Sequence, residues 1–201
     1  MLPQNQQRVE AAVLPYIQHC LLEMPGPSPL RCADLLCTDG YFTCMLANMR
    51  MSTLITGLDP CAENIRRAEV AARLLRLTQA HFMQQNAGDF ARKAPAYDLL
   101  LCIGGLAHQP APYEFLQMLR RTGSRYLVLQ SEVKPESSNQ DSLMHRSRPE
   151  ACQPGHFTHA DMAHWLLQAG WQCLESTTHA LDSNNGHADE WSSYYRCKAM
   201  A

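Results

Sequence analysis

The sequence has no apolar run approaching the roughly 18 to 20 residues that span a bilayer, and the longest candidate, 99–107, is interrupted by Gly104 and Gly105. No leader opens it either: residues 1–10 are polar and glutamine-rich, with neither a basic stretch nor an apolar one. The nine cysteines include no Cys-x-x-Cys pair, and several, such as Cys102, fall inside apolar segments. An odd count placed this way argues against a secreted disulfide framework and for reduced, mostly buried thiols. Basic excess is missing too. Seventeen Lys and Arg against 19 Asp and Glu leave a net charge of -2, so a polyanionic partner would have to be met by a local patch. The Gly-x-Gly-x-x-Gly fingerprint is absent, which disfavours an oxidoreductase built on a nicotinamide cofactor. A soluble, cytoplasmic protein is expected. The 201 residues, 46% hydrophobic and 18% charged, suit one globular domain and exclude disorder.

Apolar residues in 7–22 recur at three- and four-residue steps (Val9, Val13, Ile17, Cys20), which predicts an amphipathic helix with Pro15 inside it. The proline-rich run 24–29 then breaks the chain, so residues 1–29 form a leading helix and linker. From residue 30 to 201 the grammar changes to a Rossmann-like core. Short β-rich runs at 30–36, 52–58, 81–83, 98–103 and 126–130 alternate with helical stretches at 41–49, 62–77 and 113–119. That alternation predicts an α/β fold, a doubly wound, mostly parallel sheet with helices on both faces. A helix over 159–170 and two β-like runs, 171–177 and 192–198, separated by the turn-rich 182–186, add an antiparallel edge hairpin and bring the sheet to about seven strands.

In such a sheet a ligand lies beyond the carboxyl ends of the strands, where strand order reverses. Weight therefore falls on 36–41, Asp59-Pro60, 86–90 and 104–108. Asp59 has two readings. An acid at the end of the second strand can accept two hydrogen bonds from a ribose diol; an acid before a proline at a helix start is also a good helix opener in its own right.

The runs Cys32-Ala33-Asp34-Leu35-Leu36-Cys37-Thr38-Asp39-Gly40-Tyr41-Phe42, Ile55-Thr56-Gly57-Leu58-Asp59-Pro60, Gly88-Asp89-Phe90 and Tyr97-Asp98-Leu99 through Ile103-Gly104-Gly105-Leu106-Ala107-His108 come in the motif order of a known superfamily. Together they resemble the class I S-adenosylmethionine-dependent methyltransferases over about residues 30 to 180. Segments 108–112 and 127–132 and the helix start Phe157-Thr158-His159 look most like the branch that includes tRNA wobble-uridine modifying enzymes. The resemblance implies S-adenosylmethionine as cofactor. It implies contacts from Asp34, Leu36, Cys37, Gly40, Asp59 and Pro60, with Asp59 on the ribose. By the same resemblance Asp89 and Phe90 sit at the adenine, Ile103 and Gly104 line the methionine end, and His108 faces the substrate as base or orienting group. The methyl acceptor would be a small molecule or RNA.

The departure from that pattern concerns glycine. The family's first loop reads acid-x-Gly-x-Gly-x-Gly, because glycines let the backbone approach the cofactor. Here the first two glycine positions are Leu36 and Thr38, and only Gly40 survives. A leucine at that place is expected to occlude or displace the methionine moiety. Three explanations stand side by side: a tolerated variation, a pocket reshaped for another ligand, or a domain that kept the fold and works as a silent binding or regulatory module.

Other clusters carry less. His156, His159, Asp161 and His164 lack His-x-x-x-His spacing, so no metal site is expected and a helix opening at Thr158 or His159 explains part of the group. Cys37, at a helix start, would gain thiolate character from the dipole but has no partner base in the sequence. Arg120, Arg121, Arg125, Lys134, Arg146 and Arg148 read as a helix end plus a loop, with 134–154 expected to lie over the site.

Overall fold

A computed structural model describes residues 3–24, 29–50, 53–93, 96–135, 157–180 and 191–200. Helix α1 (Pro3–Glu23) is followed by β1 (Leu30–Leu35), α2 (Tyr41–Met49), β2 (Thr53–Asp59), α3 (Ala62–Leu74), β3 (Ala80–Gln84), α4 (Ala87–Lys93) and β4 (Leu99–Ile103). A single 3-10 turn, Leu106–His108, leads into α5 (Pro112–Arg121), β5 (Tyr126–Val133), α6 (His159–Gln168), β6 (Trp171–Ala180) and β7 (Trp191–Ala199). The strands form one sheet in the order β3-β2-β1-β4-β5-β7-β6. β1 to β5 run parallel, while β7 is antiparallel to both β5 and β6. The expected α/β sheet with an antiparallel edge pair is therefore present. The turn 182–186 lies outside the described residues.

Both faces of the central strands are buried, so their residues split alternately between two cores. Leu100 and Cys102 of β4 and Leu127 and Leu129 of β5 pack with Phe115, Leu119 and Trp165 on the α5 and α6 side. Leu99 and Leu101, with Tyr126 and Val128, pack against Val13, Ile17 and Leu46 on the side of α1 and α2. Helix α1 runs through Pro15 and turns Val9, Val13, Ile17 and Cys20 inward. Helix α6 opens with a capping box: Asp161 N donates to Thr158 Oγ1 (3.2 Å) and Thr158 N to Asp161 Oδ2 (2.9 Å).

Three expectations shift. Helix α3 stops at Leu74, leaving Leu75 exposed beyond its buried stripe of Ile65, Ala68 and Ala72, because Arg76 turns left-handed (φ 57°). α4, over 87–93, was not expected; seven residues are too few for a visible helical period. Strand β5 continues to Val133, three residues past its expected end, because β7 pairs with it from Tyr126↔Lys198 to Val133↔Trp191.

β1 has β2 on one side and β4 on the other, so chain order reverses at β1 and β4. A crevice opens beyond their carboxyl ends, as doubly wound sheets require.

Candidate active site

The loop from β1 to α2 forms one wall of that crevice. Its backbone is left-handed at alternate residues, with φ 61° at Leu36, 50° at Thr38 and 79° at Gly40. Glycine adopts this region freely; leucine and, more so, β-branched threonine do not, at a cost on the order of 1 to 3 kcal/mol each. Hydrogen bonds hold the loop in place: Cys37 N donates to Leu58 O (2.9 Å), Thr38 N to Asp59 Oδ2 (3.1 Å) and Gly40 N to Cys37 O (2.8 Å). The loop thus keeps the backbone path of a glycine-rich turn although two of its glycines are gone.

Space explains which glycine stayed. A Cβ on Gly40 would lie 2.7 Å from Ala68 Cβ and 2.8 Å from Phe82 Cε1, so both conformation and packing demand glycine there. At Leu36 the side chain lies against Gly105, where an added Cβ would come within 2.4 Å of Leu36 Cδ1. It also packs on the core beneath α5.

Two acids sit at the floor. Asp59 is buried; its Oδ1 accepts from Cys61 N (2.8 Å) and Asn64 Nδ2 (3.0 Å), and its Oδ2 from Thr38 N. A carboxylate offers about four acceptor sites, so roughly one on Oδ2 stays open. Cys61, not Asp59, caps α3, although Asp59 holds the backbone N–H of that cap, and the same carboxylate fixes the β1–α2 loop. Asp34, also buried, accepts from Thr43 Oγ1 at 2.6 Å, and its burial pushes the carboxyl pKa up to about 7. Burial, with Asp34 and Asp59 adding to it, pushes the Cys37 thiol well above its ordinary value. Burial thus works against the thiolate character expected of Cys37 at a helix start.

The opposite wall comes from β4 and β5. Ile103, Gly104 and Gly105 continue from β4, and His108 stands exposed with no hydrogen-bond partner among the described residues. Gly104, at φ 78°, donates its N–H to Gln130 O (3.1 Å). Gln130 is 1% exposed; its Nε2 donates to Ser192 Oγ (2.7 Å) while its Oε1 has no partner among the described residues. With Glu132, and with Gln6, Val9, Tyr41 and Phe42 from α1 and α2, these groups enclose a cleft of about 640 Å³. Asp34, Leu36, Cys37, Asp59 and Pro60 line the same cleft.

Gly40 touches the cleft only through the turn it makes. Asp89 and Phe90 are not brought there: Asp89 lies exposed on α4, paired with Arg92, and Phe90 is buried against Tyr97 at a ring separation of 5.5 Å. The two residues expected at the adenine thus form a surface ion pair and a core contact, and neither is among the residues lining the cleft. Gln130 and Glu132 went unrecognised. The signal was available, since they follow the apolar part of the fifth strand, where the rule that singled out the other strand ends applies equally.

The remaining clusters are accounted for by packing. Arg120 donates to the carbonyls of Gly170 (3.0 Å) and Met200, tying α5 to the ends of α6 and β7. His159 lies among Thr178, Ser193 and Tyr195, whose ring stacks on it at 5.0 Å. Arg146, Arg148, His156 and residues 136–154 of the expected loop lie outside the described residues.

A family model described as "Methyltransferase domain" matches residues 28–185. Among solved structures, the [4+2]-cyclase SpnF superposes with a TM-score of 0.73 at 14% identity, over 92% of this chain and 80% of that one. The N-terminal domain of EvdMO1, solved with SAH bound, gives 0.67 at 21% over 92% and 81%. Magnesium protoporphyrin IX methyltransferase (ChlM) from Synechocystis PCC 6803, with SAM bound, gives 0.67 at 20% over 96% and 79%. These likenesses establish the fold. A comparison with curated proteins finds no match.

Proposed function

Because the chain belongs to the methyltransferase-domain family, we propose that it transfers a methyl group from S-adenosylmethionine, bound across the β1–α2 loop, to an acceptor held between His108 and Gln130. One observation carries this reading: the alternating left-handed backbone at Leu36, Thr38 and Gly40, pinned to Asp59. Chain that has drifted to a purely structural role has no need to keep three such residues in sequence, two of them strained.

The residues present fit the cofactor. S-adenosylmethionine, when bound, supplies a methyl group made electrophilic by its sulfonium. Leu36 lies against Gly105, and a cleft of about 640 Å³ is within the range of small-molecule sites. Asp59 keeps acceptor capacity for a ribose hydroxyl, and the carboxylates of Asp39, Asp59 and Glu132 suit a ligand with a net positive charge. The chain's task is to hold the acceptor in line, which is worth more than any base; His108 stands where a departing proton would be taken. Residues 30–201 would form the catalytic core, with α1 closing one side.

The alternative is a silent binding module, since one fold hosts many activities. Likeness to the wobble-uridine branch would make RNA the acceptor, but Lys and Arg are absent from the described lining of the cleft. Isothermal titration with S-adenosylmethionine and S-adenosylhomocysteine tests the reading. Micromolar binding, weakened about tenfold or more by Asp59→Ala, is expected. No heat at millimolar ligand would sink it.

A further inference from the structure

The buried, unpartnered Oε1 of Gln130 has no structural use within the described fold. Leaving an acceptor buried without a donor costs free energy, and such an atom in a cleft wall marks the place where a ligand's donor completes the set. Its position is fixed from three directions. Gln130 O holds Gly104 N, Gln130 Nε2 holds Ser192 Oγ, and the side chain is 1% exposed. It lies beside Gly104, another residue of the cleft lining, where an added Cβ would stand 3.5 Å from Oε1.

Gln130 is on β5, which is separated from β1 by β4. At about 4.8 Å per strand that places it roughly 10 Å from the loop assigned to the cofactor, on the far side of Gly104. A group there meets the methyl acceptor. The chemistry of the lining selects what kind: Asp39, Asp59 and Glu132 contribute carboxylates, and among the described residues no Lys or Arg lines the cleft. Carboxylate and phosphate substrates are disfavoured by such a field; an amine, reacting as its neutral base, is favoured.

Resting on the methyltransferase reading, we infer that the methyl acceptor is an amine and that Gln130 Oε1 accepts a hydrogen bond from its N–H at the transfer position. That bond turns the nitrogen lone pair toward the methyl carbon. The nitrogen forms the new N–C bond as the C–S bond breaks with its electron pair left on sulfur, and the nitrogen's surplus proton leaves to His108 or water.

The test uses two probes on the full chain, S-adenosylhomocysteine and sinefungin, which carries an amine in place of the transferring methyl. In titration calorimetry the wild-type protein should bind both. Gln130→Leu should weaken sinefungin about tenfold or more while S-adenosylhomocysteine stays within about twofold. Gln130→Glu, which retains an acceptor and can take a hydrogen bond from Ser192, should hold or tighten sinefungin relative to S-adenosylhomocysteine; it also serves if Gln130→Leu does not fold. Equal weakening of both ligands by Gln130→Leu, or an unchanged ratio in both variants, overturns the inference and leaves the cofactor reading intact. Failure of the wild-type chain to bind S-adenosylhomocysteine overturns both.

Discussion

Leu36 and Gly105 divide one space between two loops: the leucine that stands in a glycine position lies where residue 105 could not carry even a Cβ, 2.4 Å from Leu36 Cδ1. The missing glycine of the first loop is answered by a glycine in the fourth. Gly105→Ala should therefore destabilise the protein by about 2 to 3 kcal/mol through overpacking and weaken cofactor binding. In the double variant Leu36→Gly/Gly105→Ala most of that loss should vanish. A double-mutant cycle by urea denaturation should return a coupling of at least about 1 kcal/mol, and strict additivity would show that the two residues do not share the space.

Asp34 makes stability depend on pH. Burial raises its folded-state pKa to about 7 from an ordinary 3.8, so its contribution is fully present below about pH 4 and is lost as pH rises toward 7. Asp34→Asn keeps an acceptor for Thr43 and removes the buried charge. The variant should match the wild-type protein near pH 4 and exceed its unfolding free energy by about 4 kcal/mol at pH 8. Parallel pH profiles would refute the assignment.

Thiol chemistry separates the cysteines. A hydrogen bond with Cys197, its directly opposed partner between β6 and β7, lowers the exposed Cys173 to about 7, whereas burial pushes Cys20 and Cys32 up to about 12 and Cys37 further. Iodoacetamide should modify Cys173 ahead of these three, with a midpoint near pH 7, as read by peptide mass spectrometry. First labelling of Cys37 would contradict the geometry of the loop.

Arg196 anchors α1 to the sheet. It is buried on β7 and donates to Glu175 Oε1 (2.7 Å) and Glu23 Oε1 (2.5 Å), and Glu23 also accepts from Tyr126 OH (2.7 Å). The Tyr126 hydrogen bond, then Arg196, lowers the Glu23 pKa, so this linkage contributes above the ordinary carboxylate range and is lost as pH falls through the shifted value. Arg196→Met should cost about 1 to 2 kcal/mol at pH 7, less than a fully buried pair because both carboxylates reach solvent, and the difference should narrow in acid.

The sheet and most helices were legible because their determinants are local. Leu99 to Leu101 and Leu127 to Leu129 are apolar without interruption, as strands covered on both faces must be, and the α1 stripe repeats at helical steps. The site was legible where a strand end names it: Asp34, Asp59, Ile103, Gly104 and His108 all reach the cleft. What was hidden depends on distant partners. Residue type at 36 and 38 argues against φ near +60°, and the bonds that Cys37 N and Thr38 N donate to Leu58 O and Asp59 Oδ2 help to impose it. The orphaned oxygen of Gln130 exists because Ser192, 62 residues later, accepts the amide's other end. The surroundings of Asp89 and Phe90 were not legible, because they stand on a seven-residue helix with no periodic signature.

The bond from Gln130 to Ser192 also sets a schedule. Ser192 begins the last strand, which enters the sheet beside β5, while Gln6 and Val9 of the first helix border the same cleft. Chains are synthesised from the amino end, and the Gln130 side chain gains its Ser192 partner only when β7 has paired. A nascent chain halted before residue 191 exposes the open edge of β5 and leaves the Gln130 amide without Ser192. The amide that borders the cleft is thus held by a strand that can join β5 only after the intervening residues have been made.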